Sequence, residues 1–484
     1  MRFFFISCFL ILGGGLLSKA YAQERPSNNV WSLDDCIQYA VKQNISIQQS
    51  ELQIQIDENN YLQSKISRYP DANAFANQNF AWGRSIDPFT NQFVNQRVNS
   101  NNFSISSSVT LFDGLRISNT IKRNQLNVDI SRLDAEQARY DASLNVALAY
   151  LNILLNQELL EVARQNVLST QAQLDRTLKL FEAGAVAEND VIDLRSTLAT
   201  NELSVVNAEN TLLLSKVNLQ QLMNLPVSDD FEVVKVSVES LQVLDLAESS
   251  QQIYETSETF LPSVRRAQLA ITRDEYNIEI AKAGRYPTLS LSGTIFSGYS
   301  SATTNFDIVP NGFETRTVGF VNGDQSMPVT IDEPVFEPTE TPYTFFDQLS
   351  DNFRQQVSLS LNIPIFNRWQ VRNSINNAQI SKRISELSAQ NTRNQLRQTI
   401  EQAYADAKSA LNTYRAREKQ VEALQLTFEI TEKRYEAGAA NIVDFNLAKI
   451  NVDNARSNLI QAKYDYLFRK KVLDFYLNKP LSFE

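Results

Sequence analysis

Along most of the chain, apolar residues recur at steps of three and four. Leu144, Leu148, Leu151, Leu155 and Leu159 form one such stripe, a spacing that places side chains along one face of an α-helix. Helix breakers are missing from the same stretches. No glycine or proline occurs from Leu115 to Ala183, Ala185 to Leu225, Ile365 to Ala437 or Ala439 to Lys479. A single glycine, Gly184 or Gly438, parts each pair of runs. A helix of ~70 residues would be ~100 Å long at 1.5 Å per residue, well beyond the globular norm. Helices of that length must lie against one another, as coiled coils or as the staves of a tube.

Between the helical runs the period drops to two. In Phe103–Leu111, Phe, Ile, Val and Leu alternate with Ser and Thr. In Leu289–Tyr299, Leu289, Leu291 and Ile295 alternate with Ser290, Ser292 and Thr294. Val357, Leu359, Leu361 and Ile363 likewise alternate with Ser358, Ser360 and Asn362, whereas Ala72–Trp82 alternates more weakly. Strands are therefore predicted near 71–83, 101–112, 287–299 and 353–366, each about the 9–11 residues that cross a bilayer when tilted. Taken singly, each also fits a hairpin with one face on a soluble core. Four together, each beside a very long helix, favour the membrane, with Val357, Leu359, Leu361 and Ile363 facing lipid. Four strands cannot close a barrel, and an open edge in lipid leaves backbone groups unpaired. Several chains must contribute, and three would supply twelve strands.

The order helix, strand, strand, helix, helix occurs twice. Phe181-Glu182-Ala183-Gly184-Ala185 matches Tyr435-Glu436-Ala437-Gly438-Ala439, and the same offset of 254 carries Ala149-Tyr150 onto Ala403-Tyr404. A register kept over so long a stretch indicates duplication. Upstream, Arg68-Tyr69-Pro70 matches Arg285-Tyr286-Pro287 at an offset of 217, so the second half carries an insertion. The two repeats are placed at 23–246 and 247–484. The insertion, 300–350, contains Pro310, Pro328, Pro334, Pro338 and Pro342 and is expected to be an irregular extracellular loop.

Composition narrows the function. Histidine is absent from all 484 residues, which removes the usual proton shuttle and the commonest metal ligand. No carboxylate pair, nucleophile–base set or phosphate-binding glycine loop stands out, so neither catalysis nor a cofactor is expected. Residues 1–22, with Arg2 before an apolar run and Ala20-Tyr21-Ala22 at its end, have the form of a secretory signal. Loss of Arg2 and Lys19 takes the net charge from −10 to −12, an acidity that disfavours nucleic acid or anionic lipid as a partner. One cysteine, Cys36, then remains, too few for an intrachain disulfide. No later apolar run reaches the ~18 residues of a membrane helix.

Several stretches together resemble the TolC family of outer-membrane efflux proteins. Ser32-Leu33-Asp34-Asp35-Cys36-Ile37-Gln38-Tyr39-Ala40 resembles its first periplasmic helix, and Leu261-Pro262-Ser263 through Tyr286-Pro287 the approach to its third strand. Phe181 through Val191 and Tyr435 through Asp444 resemble its periplasmic helix tips. The resemblance covers essentially the whole mature chain. It implies a mainly α fold with a transmembrane β part, in which a homotrimer builds a twelve-stranded barrel and a long helical periplasmic tunnel. It further implies docking to a periplasmic adaptor and an inner-membrane transporter, with the barrel in outer-membrane lipid. Gly184, Ala185, Gly438 and Ala439 would then face the adaptor, and Asp190, Asp193 and Asp444 would line a periplasmic constriction. Two family positions differ: Leu447 replaces a second acid and Ala440 an arginine. Asp444 has another reading, as a first-turn acid behind an Asn441 cap, where the helix dipole favours negative charge.

The function expected is a passive export duct for small molecules or proteins, driven by partner pumps. The alternative is a structural coiled-coil protein of the cell envelope, which accounts for the helices but has no use for serine-faced strands of bilayer length.

Overall fold

The computed structural model describes residues 30–87, 89, 91–95, 97–235 and 246–479. The signal segment, 1–22, lies outside them. In chain order the first half contains β1 (Val30–Trp31), α1 (Leu33–Gln43), α2 (Ile45–Ile66), β2 (Asn73–Ala81), β3 (Arg84–Ile86), β4 (Phe93–Asn95), β5 (Val98–Phe112), α3 (Arg116–Glu182), α4 (Glu188–Leu222) and β6 (Glu232–Val233). The second half contains α5 (Ser250–Phe260), α6 (Pro262–Ala283), β7 (Thr288–Ser300), β8 (Asn305–Phe320), β9 (Pro328–Thr341), α7 (Phe345–Asp351), β10 (Arg354–Asn362), α8 (Gln370–Glu436) and α9 (Ile442–Tyr476).

The duplication holds to the residue. An offset of 254 carries α3 and α4 onto α8 and α9, and one of 217 carries α1 and α2 onto α5 and α6. Helix-end chemistry repeats as well. Ser32 and Ser249 each close a capping box at the start of α1 and α5. Left-handed residues fall at matched places: Leu115 with Trp369, Gly184 with Gly438, and Asn224 with Asn478. Gly184, Asn224 and their mates follow helices and return backbone N–H groups to the last carbonyls, whereas Leu115 and Trp369 precede α3 and α8.

By their contacts the residues form two compact units. Of the described residues, one comprises 30–52, 132–235, 246–265 and 390–479; the other comprises 53–87, 89, 91–95, 97–131 and 266–389. In the first, Trp31, Cys36 and Tyr39 pack with Val146, Tyr150, Leu151 and Leu154 of α3, and with Leu219, Met223, Phe231 and Val233. The Tyr150 hydroxyl donates to the Val234 carbonyl at 2.9 Å, which ties the segment after α4 into this core. Burial, with help from the neighbouring Asp35 charge, pushes the Cys36 thiol far above its ordinary range, so it is no ready nucleophile. One window of α3 is apolar enough to cross a membrane, contrary to the expectation that none would be. It is 56% buried within the protein, the setting of a core helix.

In the second unit the repeat reappears as a buried polar pair. Ser131 of α3 donates to Asp57 of α2, and Ser385 of α8 donates to Asp274 of α6 at 2.5 Å. These pairs are related by the same two offsets. Asp274 also accepts from Asn277 at 2.9 Å and from the Arg273 guanidinium. Burial would raise its pKa, but the Arg273 and Ser385 bonds outweigh burial and hold it below the ordinary carboxylate value. A folded-state pKa below the unfolded value near 4 gives stability that is complete above that pH and is lost as pH falls through the folded value. Asp274→Asn is accordingly expected to cost about 1–3 kcal/mol at neutral pH and to flatten the acid limb of a denaturation–pH profile. An acid limb as steep as that of the wild type would remove Asp274 from this role.

The same unit holds a four-stranded sheet in the order β10-β7-β5-β2, antiparallel throughout. The four strands lie close to the stretches where they were expected. β10 ends at Asn362, so Ile363 lies just past the strand, 57% exposed. The insertion differs from its expectation. It is not irregular: β8 and β9 pair as a long antiparallel ribbon from Asn305↔Thr341 to Phe320↔Pro328, followed by α7. Pro310, Pro328, Pro334 and Pro338 are accommodated because a two-stranded ribbon is all edge, and prolines can occupy its outward-facing positions.

Candidate functional site

Register assigns each sheet residue to a face, because directly opposed residues in an antiparallel pair point the same way. Leu359 opposes Leu291, which opposes Val109. Leu361 opposes Leu289, which opposes Phe112, and Ile295 opposes Ile105, which opposes Ala74. On the other face lie Ser358, Ser292 and Ser108, then Ser360, Ser290 and Thr110, then Thr294 and Ser106 with Asn73. The sheet therefore has one apolar and one hydroxyl-lined face. Its apolar side chains have little to pack on within the chain: Val357 is 79% exposed, Leu359 63% and Leu361 60%. The outer edges of β2 and β10 are unpaired among the described residues.

Aromatic residues stand at both ends of the sheet. At the helix-joined end stand Tyr69 and Tyr286, repeat mates, with Trp369 beneath the Arg372 guanidinium, 4.3 Å from the ring centre. At the far end Phe80 stacks on Trp82, and Phe345 of α7 packs on Tyr299 and Phe103. From Tyr286 to Tyr299, at ~3.3 Å per residue and ~45° tilt, the rise is about 30 Å, a hydrocarbon thickness. On the hydroxyl face at the far end, Phe89 lies over Gly298 so closely that no Cβ could be added there. The Ser300 hydroxyl donates to the fully buried Asp87.

The second candidate region is the pair of hairpin tips. Gly184 (φ 74°) and Gly438 (φ 73°) have nothing within 4 Å of an added Cβ, so the backbone angle alone calls for glycine there. Their N–H groups donate to Phe181 and Tyr435, and those of Ala185 and Ala439 to Leu180 and Arg434, at 2.7–3.0 Å. All four turn residues are exposed. Beneath them one cluster joins both hairpins: Leu174, Val191, Leu194, Ile442 and Phe445 are buried, with Phe428 and Tyr435 against them. The Tyr435 and Phe445 rings stack at 5.0 Å, and Arg176 pairs with Glu436 at 2.9 Å. Burial, with the Asp190 charge adding to it, raises the pKa of Tyr435.

Asp190 thus starts α4 beside the end of α8. Asp193, one turn on, is exposed, and its carbonyl accepts from Thr197. Asp444 is exposed in the first turn of α9, where its N–H donates to the Asn441 side chain at 2.8 Å. The cap reading of Asn441 is therefore realised, whereas Ala187 at the matching start of α4 supplies no side-chain cap. One chain gathers both tips in one cluster, with Asp190 and Asp193 at the start of α4 and Asp444 at the start of α9. The sequence reading missed the Tyr435–Phe445 stack and the aromatic brackets, although Tyr69 and Tyr286 were in plain sight as repeat mates.

Two-faced strands of bilayer length, joined to duplicated helical hairpins, define the class: an outer-membrane protein with a mainly helical body. The chain belongs to the outer membrane efflux protein family, whose sequence profile matches residues 36–225 and 261–479, a family of transport proteins and not of enzymes. It is 24% identical to the outer membrane protein TolC of Escherichia coli K12 over 327 residues, 68% of this chain and 59% of that one. It is 25% identical to TolC of Vibrio cholerae over 391 residues, 78% and 79% of the two chains. It is 22% identical to OpmQ of Pseudomonas putida, a pyoverdine export outer membrane protein, over 71% of this chain and 62% of that one. The matches thus span about three fifths of the length of the Escherichia coli and Pseudomonas putida relatives. Among solved structures, CusC superposes with a TM-score of 0.72 at 17% identity, covering 93% of this chain and 92% of the other. VceC of Vibrio cholerae superposes at 0.70 and 13%, covering 93% and 97%.

Proposed function

We propose that this protein is the passive outer-membrane duct of an export system. The observation that carries the reading is the sheet whose apolar face lacks a cover, and whose two edges lack partners, among the described residues. Three copies, each adding four strands, satisfy both needs by closing a twelve-stranded barrel with lipid outside and hydroxyl groups lining the bore. Val357, Leu359 and Leu361, with Ile363 at the strand end, then meet lipid. The long helices lie in the periplasm, and the β8–β9 ribbon, joined to the far ends of the strands, lies outside the cell. The exposed turns at Gly184, Ala185, Gly438 and Ala439 are where a periplasmic adaptor would dock, with an inner-membrane transporter supplying the energy. Purified protein in detergent should be a trimer by light scattering; a stable folded monomer overturns the barrel.

Asp190, Asp193 and Asp444 would each occur three times around the entrance. Their summed negative potential would draw in cations and make single-channel conductance cation-selective. Asp444→Asn is then expected to shift the reversal potential under a salt gradient towards zero, while Asp324→Asn in the external ribbon should leave it in place. An unmoved potential in Asp444→Asn would leave that residue with its first-turn helix role alone.

A further inference from the structure

Arg97, immediately before β5, carries its guanidinium over two aromatic rings, 5.6 Å from the centre of Phe80 and 5.7 Å from that of Trp82. Those rings stack on each other at 6.4 Å. Phe80 opposes Asn99, and one register step nearer the helices Gln78 opposes Asn101, to which it is hydrogen-bonded. Both pairs lie on the face that carries Ala74, Ala76, Phe103 and Ile105, so this is where the apolar face turns polar at the far end of the sheet. Trp82 is 71% exposed and Arg97 is exposed as well. Among the described residues no carboxylate pairs with Arg97. Among those residues its partners are the two rings, near enough for cation–π attraction.

We propose that Arg97, seated on Phe80 and Trp82, is a docking point for the phosphate of an anionic lipid headgroup at the outer rim of the barrel. The proposal rests on the barrel reading above. Aromatic rings favour the interface between hydrocarbon and headgroups, and stacking holds a guanidinium in the planar, forked pose that grips a phosphate. The chain as a whole is acidic, but a cation at that level with no carboxylate among the described residues has its complement in the lipid. Arg316 makes a useful contrast: it lies in the β8–β9 ribbon, away from the aromatic brackets, and is paired with Glu333.

The test uses the full-length trimer in nanodiscs of phosphatidylcholine, with and without phosphatidylglycerol, and in phosphatidylcholine with inorganic phosphate added to the buffer. Lipid retained by the trimer is read by native mass spectrometry, and its thermal midpoint is read in parallel. Wild-type protein should retain phosphatidylglycerol in preference to phosphatidylcholine and melt higher when it is present. Arg97→Gln should lose about fivefold in that preference, as expected for one basic group at a membrane surface, and should lose the lipid-dependent gain in melting. Arg97→Lys should lose less, and Arg316→Gln should match the wild type. If an Arg97→Gln trimer keeps the full preference, the proposal falls and the barrel stands. If Arg97→Gln melts lower by the same amount in every disc, the guanidinium serves a carboxylate of a neighbouring copy and the proposal falls. Equal stabilisation by inorganic phosphate would make the site one for the free anion and overturn the lipid. Failure of the wild type to enter discs as a trimer would sink the barrel reading itself.

Discussion

Leu291→Arg is expected to destabilise the membrane-inserted protein by about 2–4 kcal/mol, and Ser292→Arg by much less. The two residues are neighbours on β7, with the same depth and backbone environment, and differ only in face. Leu291 lies between Leu359 and Val109 on the apolar side, and Ser292 between Ser358 and Ser108 on the other. Depth matters as much as face. Tyr286 and Tyr299 mark the two ends of the apolar stretch, and Leu291 falls near its middle, where a charge is furthest from either interface. Leu361 shares a row with Leu289 and Phe112 near the helix-joined end, so Leu361→Arg should cost only about 0–1 kcal/mol. Denaturant titration of folding into liposomes measures all three. Equal costs for Leu291→Arg and Ser292→Arg would mean that the sheet does not separate lipid from water.

Phe445→Ala is expected to unfasten the hairpin tips. Phe445 is 3% exposed, is stacked by Tyr435 and is touched by Phe428. Removal of a buried phenyl ring costs about 3–5 kcal/mol, and here the loss falls on a cluster that joins α3, α4, α8 and α9. The remaining ties at the surface are few and exposed. The Arg176–Glu436 pair has both side chains about half accessible to water, and such pairs contribute about 0–1 kcal/mol. Hydrogen exchange should therefore rise sharply over Leu174–Leu198 and Phe428–Phe445, with protection around Tyr150 unchanged. Unchanged protection at the tips would show that polar contacts hold them without the aromatic stack.

The long helices were legible to within a few residues because their signal is redundant. Period, absence of breakers and a repeated register all mark the same bounds, and α3 and α8 follow them. The sheet strands were legible because alternation in a two-faced sheet admits one register only. The β8–β9 ribbon was not. Its prolines pointed to irregular chain, yet Asn322 (φ 55°) and Gly323 (φ 84°) sit at its turn, and Asn-Gly is a strong short-range hairpin signal. That dipeptide was the cue to weigh against the prolines. The tip cluster was harder to foresee, since Leu174, Val191 and Leu194 of the first half share it with Ile442 and Phe445 of the second, and no local pattern states that two hairpins share one core. Arg97 lay hidden for a related reason: a cation looks solvated until strand pairing shows that the rings beneath it end an apolar face.

The central pairing of the sheet bears on how the molecule comes to exist at all. β5 and β7 join opposite halves of the chain, Ile105 opposite Ile295. A chain delivered from its N-terminus exposes the β2–β5 hairpin long before its mate has arrived. Until then that hairpin is a two-stranded piece with one greasy side and an open edge, marginal by itself and prone to pair with the wrong neighbour. Closure over so great a sequence distance is slow, because chain entropy must be lost before the pairing compensates for it. Biogenesis of this protein is thus a waiting problem, and a holding factor that shields Phe103, Ile105 and Val109 during transit would speed assembly without touching the finished structure.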